Sequence, residues 1–256
     1  MFIDTHCHLD DQKLINTDEV VKEYQLSGVD LVINMGCNIS SSEKGKELAD
    51  KYQSIYYAVG FHPSDANHFN DEALDKLKLL VTNKKCVAIG EIGLDYYWKP
   101  YDEVKQKQCF VEQIELAKES KLPICIHSRD ATADMLSVLK QNKDKLSYGG
   151  VMHCFSGSVE TAKQLLDLGI YISFAGPVTF KNANGLLDVA KFVPQDRCLT
   201  ETDSPYLAPH PLRGTVNAPK NLPIITAFLA NLKGLELTDF ANQVMKNAKT
   251  LFYKLN

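Results

Sequence analysis

The feature that most limits what this chain can become is an eightfold alternation. Eight short apolar runs stand at 1–8, 30–34, 54–60, 86–90, 123–126, 150–152, 170–174 and 197–200. Helical stretches follow nearly all of them, at 18–26, 42–52, 71–82, 103–118, 131–139, 159–168 and 183–192, and two more at 222–232 and 238–251 close the chain. Strands that read as continuous apolar runs are buried on both faces, as in a parallel sheet under helices. Eight such repeats in 256 residues predict an α/β fold, a single-domain (β/α)8 barrel over 1–256, since barrels of this kind take ~250 residues. An open doubly wound sheet would more often carry a Gly-rich turn after its first strand; here the first run ends in His6-Cys7-His8. Locally, Thr17 is the expected cap and Gly28 the stop of the first helix, Asp130 caps the fifth, and Val104, 109–111, Ile114 and Ala117 form the inner stripe of the fourth.

In a barrel of this type the active site lies at the C-terminal ends of the strands. Those ends carry His6 and His8, His62 in Gly60-Phe61-His62-Pro63, Glu91 and Asp95, His127 and Arg129, His153, and Asp203 after the last strand. Five of the seven histidines fall there; His68 is read as a surface residue, and His210 lies in a later loop. Side chains alternate along a strand, so His6 and His8 share a face and Cys7 points the other way. Singly, each has an ordinary explanation, a polar strand end or a first-turn acid; converging on one mouth, they read as a metal site. Four imidazoles and two carboxylates exceed one closed tetrahedral site and suit two ions about 3.5–4 Å apart. Glu91 is the expected bridge, with His6, His8 and Asp203 on one ion and His127 and His153 on the other. Such ions would lower the pKa of a coordinated water, with Asp203 as proton acceptor.

Composition narrows the class. Seven scattered cysteines, none in a Cys-x-x-Cys pair, are not a disulfide framework, and a reducing, cytoplasmic setting is expected. No run is long and apolar enough to span a membrane. A net charge of −4 argues against a broad basic face for duplex DNA, though not against one strand end held in a pocket beside metal ions.

The blocks Asp4-Thr5-His6-Cys7-His8-Leu9, Gly60-Phe61-His62-Pro63, Gly90-Glu91-Ile92-Gly93-Leu94-Asp95, Ile126-His127-Ser128-Arg129, His153-Cys154-Phe155-Ser156-Gly157 and Glu201-Thr202-Asp203-Ser204-Pro205 resemble the TatD family of metal-dependent deoxyribonucleases, within the amidohydrolase superfamily of TIM barrels. The resemblance also takes in Arg213-Gly214 and Asn217-Ala218-Pro219. It implies that His6, His8, Glu91, His127, His153 and Asp203 are metal positions. It also implies divalent-metal hydrolysis of DNA, including removal of nucleotides from 3′ ends. One departure is the presence of Ala175 and Pro177, where Ser and a β-branched residue are expected.

On this reading Asp203, Glu91 and His62 are the catalytic candidates, and one or two divalent ions (Mg²⁺, Mn²⁺ or Zn²⁺) the cofactor. Single-stranded DNA or a 3′ end is the substrate. His62, Arg129 and Arg213 are candidates for phosphate contact, against the alternatives of a loop-shaping histidine and of surface salt bridges. Glu201 is expected to accept a hydrogen bond from a liganding histidine. Tyr96, Tyr97 and Trp98 either stack an unpaired base or pack against loop neighbours. The alternative functions are a metal-dependent amidohydrolase, lactonase or phosphoesterase acting on a small molecule, and a non-catalytic protein that keeps the site for stability.

Overall fold

The computed structural model describes residues 1–255. Eight parallel strands pair in sequence order, β1 (Phe2–Cys7), β2 (Val29–Met35), β3 (Ile55–Val59), β4 (Cys86–Asp95), β5 (Ile124–Arg129), β6 (Gly150–Met152), β7 (Ile170–Phe174) and β8 (Cys198–Thr200). The intervening helices are α1 (Thr17–Leu26), α2 (Ile39–Lys51), α3 (Asp71–Leu80), α4 (Glu103–Ser120), α5 (Thr132–Gln141), α6 (Val159–Asp167) and α7 (Asn184–Phe192), and α8 (Leu222–Leu232) and α9 (Leu237–Leu251) follow β8. This is the expected single-domain TIM barrel.

The seam between first and last strands closes just beyond β8. The Asp203 and His8 amides donate to the His6 and Ser204 carbonyls at 2.9 and 2.7 Å. Below them Thr5 donates to the Thr200 carbonyl at 3.1 Å. Asp4, fully buried, takes the Thr202 amide at 2.9 Å and pairs with its hydroxyl at 2.5 Å. Burial pushes the Asp4 carboxyl up to about 7, against the pull of those Thr202 bonds.

Two strands run further than the apolar pattern suggests. β4 continues five residues past Gly90 to Asp95, and β5 continues through His127 to Arg129, so Glu91 and His127 lie within strands rather than after them. Gly93 permits this. It sits opposite His127 at φ +144°, and a Cβ there would lie 2.0 Å from the His127 carbonyl oxygen. Only glycine lets the strands approach so closely at that angle.

Three local expectations need correction. Asn16, not Thr17, caps α1, its side chain accepting the Glu19 amide. Asp130 does not cap α5; it is left-handed at φ +52°, and α5 begins after Ala131 with no side-chain cap. On α4, Val104 is 75% exposed, while Gln106 and Gln113 are buried. Each glutamine grips a strand end by its backbone. Gln113 accepts from the Phe61 amide at 2.7 Å and donates to its carbonyl at 3.1 Å, and Gln106 does the same at Asp95 at 2.9 and 2.8 Å. A two-bond grip on an otherwise unpaired backbone fixes its direction, and His62 and Asp95 stand at those two points.

Candidate metal centre

The barrel mouth opens into a cavity of about 640 Å³. Its lining includes His8, His62, Glu91, His127, His153 and Asp203. His6 lies beneath, 1% exposed, its ring stacked on that of His153 at 3.9 Å.

The imidazoles stand in two facing pairs. His6 Nε2 and His8 Nε2 are 3.3 Å apart, and so are His127 Nδ1 and His153 Nε2. Glu91 spans both pairs with its two oxygens. Oε1 lies 2.9 Å from His127 Nδ1 and 2.8 Å from His153 Nε2. Oε2 lies 3.4 Å from His6 Nε2 and 3.7 Å from His8 Nε2. Asp203 Oδ1 completes the first group at 3.7 and 3.5 Å from the same two nitrogens. Donor atoms bonded at about 2.0–2.1 Å around a tetrahedral ion stand roughly 3.3 Å apart. Paired nitrogens turned towards a carboxylate are a donor set that suits a divalent cation. The six expected ligands therefore converge in two groups, His6–His8–Asp203 and Glu91–His127–His153, each with donor atoms close enough to hold a metal ion.

Two further acids orient the rings from behind. His127 Nε2 pairs with Asp95 Oδ2 at 2.9 Å, which leaves Nδ1 to face Glu91. His153 Nδ1 pairs with Glu201 Oε1 at 3.2 Å, and the same oxygen takes the Cys154 amide at 2.6 Å. Glu201 thus stands where expected. Asp95 was visible only as a strand-end acid; its signal is the 91-93-95 alternation on one strand face. A carboxylate on the far nitrogen fixes the ring's tautomer and raises its basicity as a ligand.

The electrostatics follow from burial opposed by close charge. Burial alone would lower His153, but Glu91 and Glu201 raise it well above its ordinary value. His127 is raised against burial by Asp95 and Glu91. His8 is raised against burial by Cys37, Asp203 and Glu91. Burial would raise Glu91 and Asp203, yet the surrounding imidazoles pull both down, so both carboxylates are ionised at neutral pH. His6 is lowered, first by burial and then by His153.

His62 differs from the other four. Its Nδ1 accepts the Ser64 amide at 3.1 Å and caps the turn Pro63–His68. That bond leaves the proton on Nε2, which faces the cavity 3.7 Å from Glu91 Oε1. Burial lowers His62 to about 3, so it is a neutral hydrogen-bond donor. It is both the loop-shaping histidine and a group presented to the site.

The remaining candidates separate. Arg129 lines the cavity, its guanidinium lying 3.6 Å from the Tyr97 ring centroid. Among the described residues no carboxylate pairs with it; the expected alternative, a salt bridge to Asp130, does not form. Arg213 lies off the cavity, exposed, over the Phe180 ring at 4.5 Å. Tyr96 packs inward, stacked on Tyr101 and bonded to Asp134, whereas Tyr97 and Trp98 stay 49% and 61% exposed and Trp98 reaches the cavity wall. His68 is on the surface as expected, and His210 lies outside the cavity. Cys37, at the end of β2, lines the cavity and was not foreseen.

Comparison with known proteins gives a consistent picture. The family described as TatD related DNase matches residues 3–253. The metal-dependent hydrolase YabD of Bacillus subtilis is 42% identical over 253 residues, 98% of this chain and 99% of that protein. The metal-dependent hydrolase YcfH of Escherichia coli K12 is 38% identical over 255 residues, covering 98% and 95%. The crystal structure of YjjV, a TatD homologue from Escherichia coli K12, superposes with a TM-score of 0.93 at 31% identity, covering 98% of both chains.

Proposed function

The chain belongs to the TatD family and is a metal-dependent hydrolase; from that premise we propose that it is a deoxyribonuclease that removes nucleotides from the 3′ end of single-stranded DNA. The observation that carries the reading is Glu91 spanning two imidazole pairs, with an unpaired guanidinium at the same mouth. A divalent-ion site beside a free cation fits a phosphodiester better than a neutral amide or lactone, because the extra charge has an anionic oxygen to meet.

Under this proposal His6, His8, Asp203 and Glu91 Oε2 would hold one divalent ion, and His127, His153 and Glu91 Oε1 a second. Mg²⁺, Mn²⁺ and Zn²⁺ are the candidates. Bound there, the ions would supply a nucleophile at neutral pH and screen the charge growing on phosphate. Asp203, already ionised, accepts the proton of the attacking water. The Nε2–H of His62 donates to a phosphate oxygen without changing charge. Arg129, held flat by Tyr97, offers its planar fork to the next phosphate, and Trp98 offers a face to an unpaired base.

The test is hydrolysis of a labelled single-stranded oligonucleotide by metal-stripped protein, with Mg²⁺, Mn²⁺ or Zn²⁺ restored one at a time. Metal-dependent shortening from the 3′ end, absent in a folded Asp203→Asn variant, is expected. Shortening in excess chelator, or an Asp203→Asn variant as fast as its parent, would overturn the mechanism. Protein that binds metal but cuts no DNA, and instead opens a lactone or amide, would overturn the substrate.

A further inference from the structure

One sulfur stands among these donors, and the proposed hydrolysis gives it no task. Cys37 Sγ lies 3.8 Å from His8 Nδ1 and 3.9 Å from Glu91 Oε2. Its place is fixed by backbone. The Cys37 amide donates to Ser41 Oγ at 2.7 Å, inside the capping box that starts α2. Its carbonyl accepts the His62 amide at 2.9 Å. Five of the other six cysteines are different. Cys7, Cys86, Cys109, Cys125 and Cys198 are buried, where a thiol acts as a small hydrophobe.

Three points make the cluster more than a cysteine near a histidine. First, His8 presents its two nitrogens to opposite sides, Nε2 to His6 and Asp203, Nδ1 to Cys37. The far nitrogens of His127 and His153 meet carboxylates; that of His8 meets sulfur. Second, the Glu91 side chain is 5% exposed, and its Oε2 has no nitrogen nearer than 3.4 Å among the described residues. That buried oxygen is shared between the His6–His8 pair and the sulfur, and His8, Cys37 and Glu91 together bring one donor atom each within 4.8 Å of the others. Third, the spacing is that of a coordination sphere. Bonds of about 2.3 Å to sulfur and about 2.0–2.2 Å to nitrogen or oxygen place sulfur roughly 3.5 Å from its co-ligands at a tetrahedral angle. The observed distances exceed this by only a few tenths of an ångström.

We propose that Cys37, His8 Nδ1 and Glu91 Oε2 form a soft-ion site at the rim of the centre, which takes a thiophilic divalent cation such as Zn²⁺, Co²⁺ or Cd²⁺ and does not take Mg²⁺. Thiolate ligands select such ions, while Mg²⁺ prefers oxygen. The site draws on Glu91 Oε2, so a thiophilic ion there competes with the His6–Asp203 side for that oxygen. The metal that arrives therefore decides how the centre is arranged. The inference does not depend on the nuclease reading; it holds whichever bond the centre hydrolyses.

Cobalt reports it directly. Metal-stripped protein titrated with Co²⁺ is expected to show a near-ultraviolet sulfur-to-cobalt charge-transfer band together with visible d–d bands. Cys37→Ser should lose the charge-transfer band and keep d–d bands from the imidazole and carboxylate donors. Cys154→Ser, altering the half-buried cysteine beside His153, should keep both. Zn²⁺ should displace the band and excess Mg²⁺ should not. Cys37→Ser should weaken Zn²⁺ at this site without changing Mg²⁺ binding. No charge-transfer band in the unaltered protein overturns the proposal without any variant, and so does a band that survives Cys37→Ser or is displaced equally by Mg²⁺.

Discussion

Glu201→Gln separates two jobs that one carboxylate performs. Glu201 is 1% exposed, and its Oε1 accepts both the Cys154 amide and His153. Its Oε2 is buried with no hydrogen-bond partner. In the glutamine the carbonyl oxygen keeps both bonds, and the amide nitrogen takes the place of an oxygen that was already unsatisfied. Folding should change only modestly: weaker bonds to an uncharged acceptor cost about 1 kcal/mol each, and His153 keeps Glu91 at 2.8 Å as a compensating anion. What is lost is the negative charge behind His153, which makes the far nitrogen a better ligand. Losing a carboxylate behind a liganding histidine costs about 10–100-fold in metal affinity, or about 1.4–2.8 kcal/mol. Glu201→Ala removes the bonds as well and leaves the Cys154 amide buried without an acceptor, at about 1–3 kcal/mol of stability. The assay pairs ion competition against a chelator with thermal unfolding in excess chelator, where the ion cannot contribute. The glutamine variant should bind metal more weakly yet unfold near the parent temperature, and the alanine variant should fail on both counts. If Glu201→Gln bound metal as the parent does, the carboxylate would not be acting through His153. If it unfolded with Glu201→Ala, its charge would be holding the fold.

Two further outcomes follow from the site. His62→Leu, which removes the Nε2–H donor, should lower kcat about 10²–10³-fold at unchanged metal content. The shape of the pH profile between about pH 5 and 8 should stay the same: burial holds His62 at about 3, so its charged form is lost well below that window, and loss of an acidic or basic limb there would refute the neutral-donor role. Arg129→Ala should raise KM for an oligonucleotide about 10–100-fold, the worth of charged hydrogen bonds. Arg213→Ala, altering a residue outside the cavity, should leave KM near the parent value, and a reversed order would exchange their roles.

How far the sequence reveals this centre depends on the kind of signal each residue carries. His6 and His8 are legible because strand alternation alone puts them on one face. Glu91 is legible as a candidate ligand but not as part of β4, because Gly90 and Gly93 read as breaks in a strand. They are instead the places where β5 comes too close for a side chain, a fact set by the neighbouring strand. Gln106 and Gln113 were missed for a related reason: an apolar stripe on α4 leaves no room for buried amides unless the backbone they hold is known. Cys37 escaped because β2 ends without a histidine or acid, and only the closed barrel brings that end beside His8. Asp130 shows the opposite error, a residue with the right chemistry for a cap whose left-handed backbone rules it out.

The seam between β1 and β8 has a consequence for how activity arises during synthesis. Thr5 and Thr200, which bond across it, are 195 positions apart. The Asp203 carboxylate meets His6 and His8 only after that seam has formed. A growing chain therefore carries its two N-terminal histidines through most of translation without the acid that completes their group. Contacts so distant in sequence also form slowly. The emerging polypeptide carries an incomplete centre, and its hydrolytic competence arrives in one step, when the last strand docks beside the first.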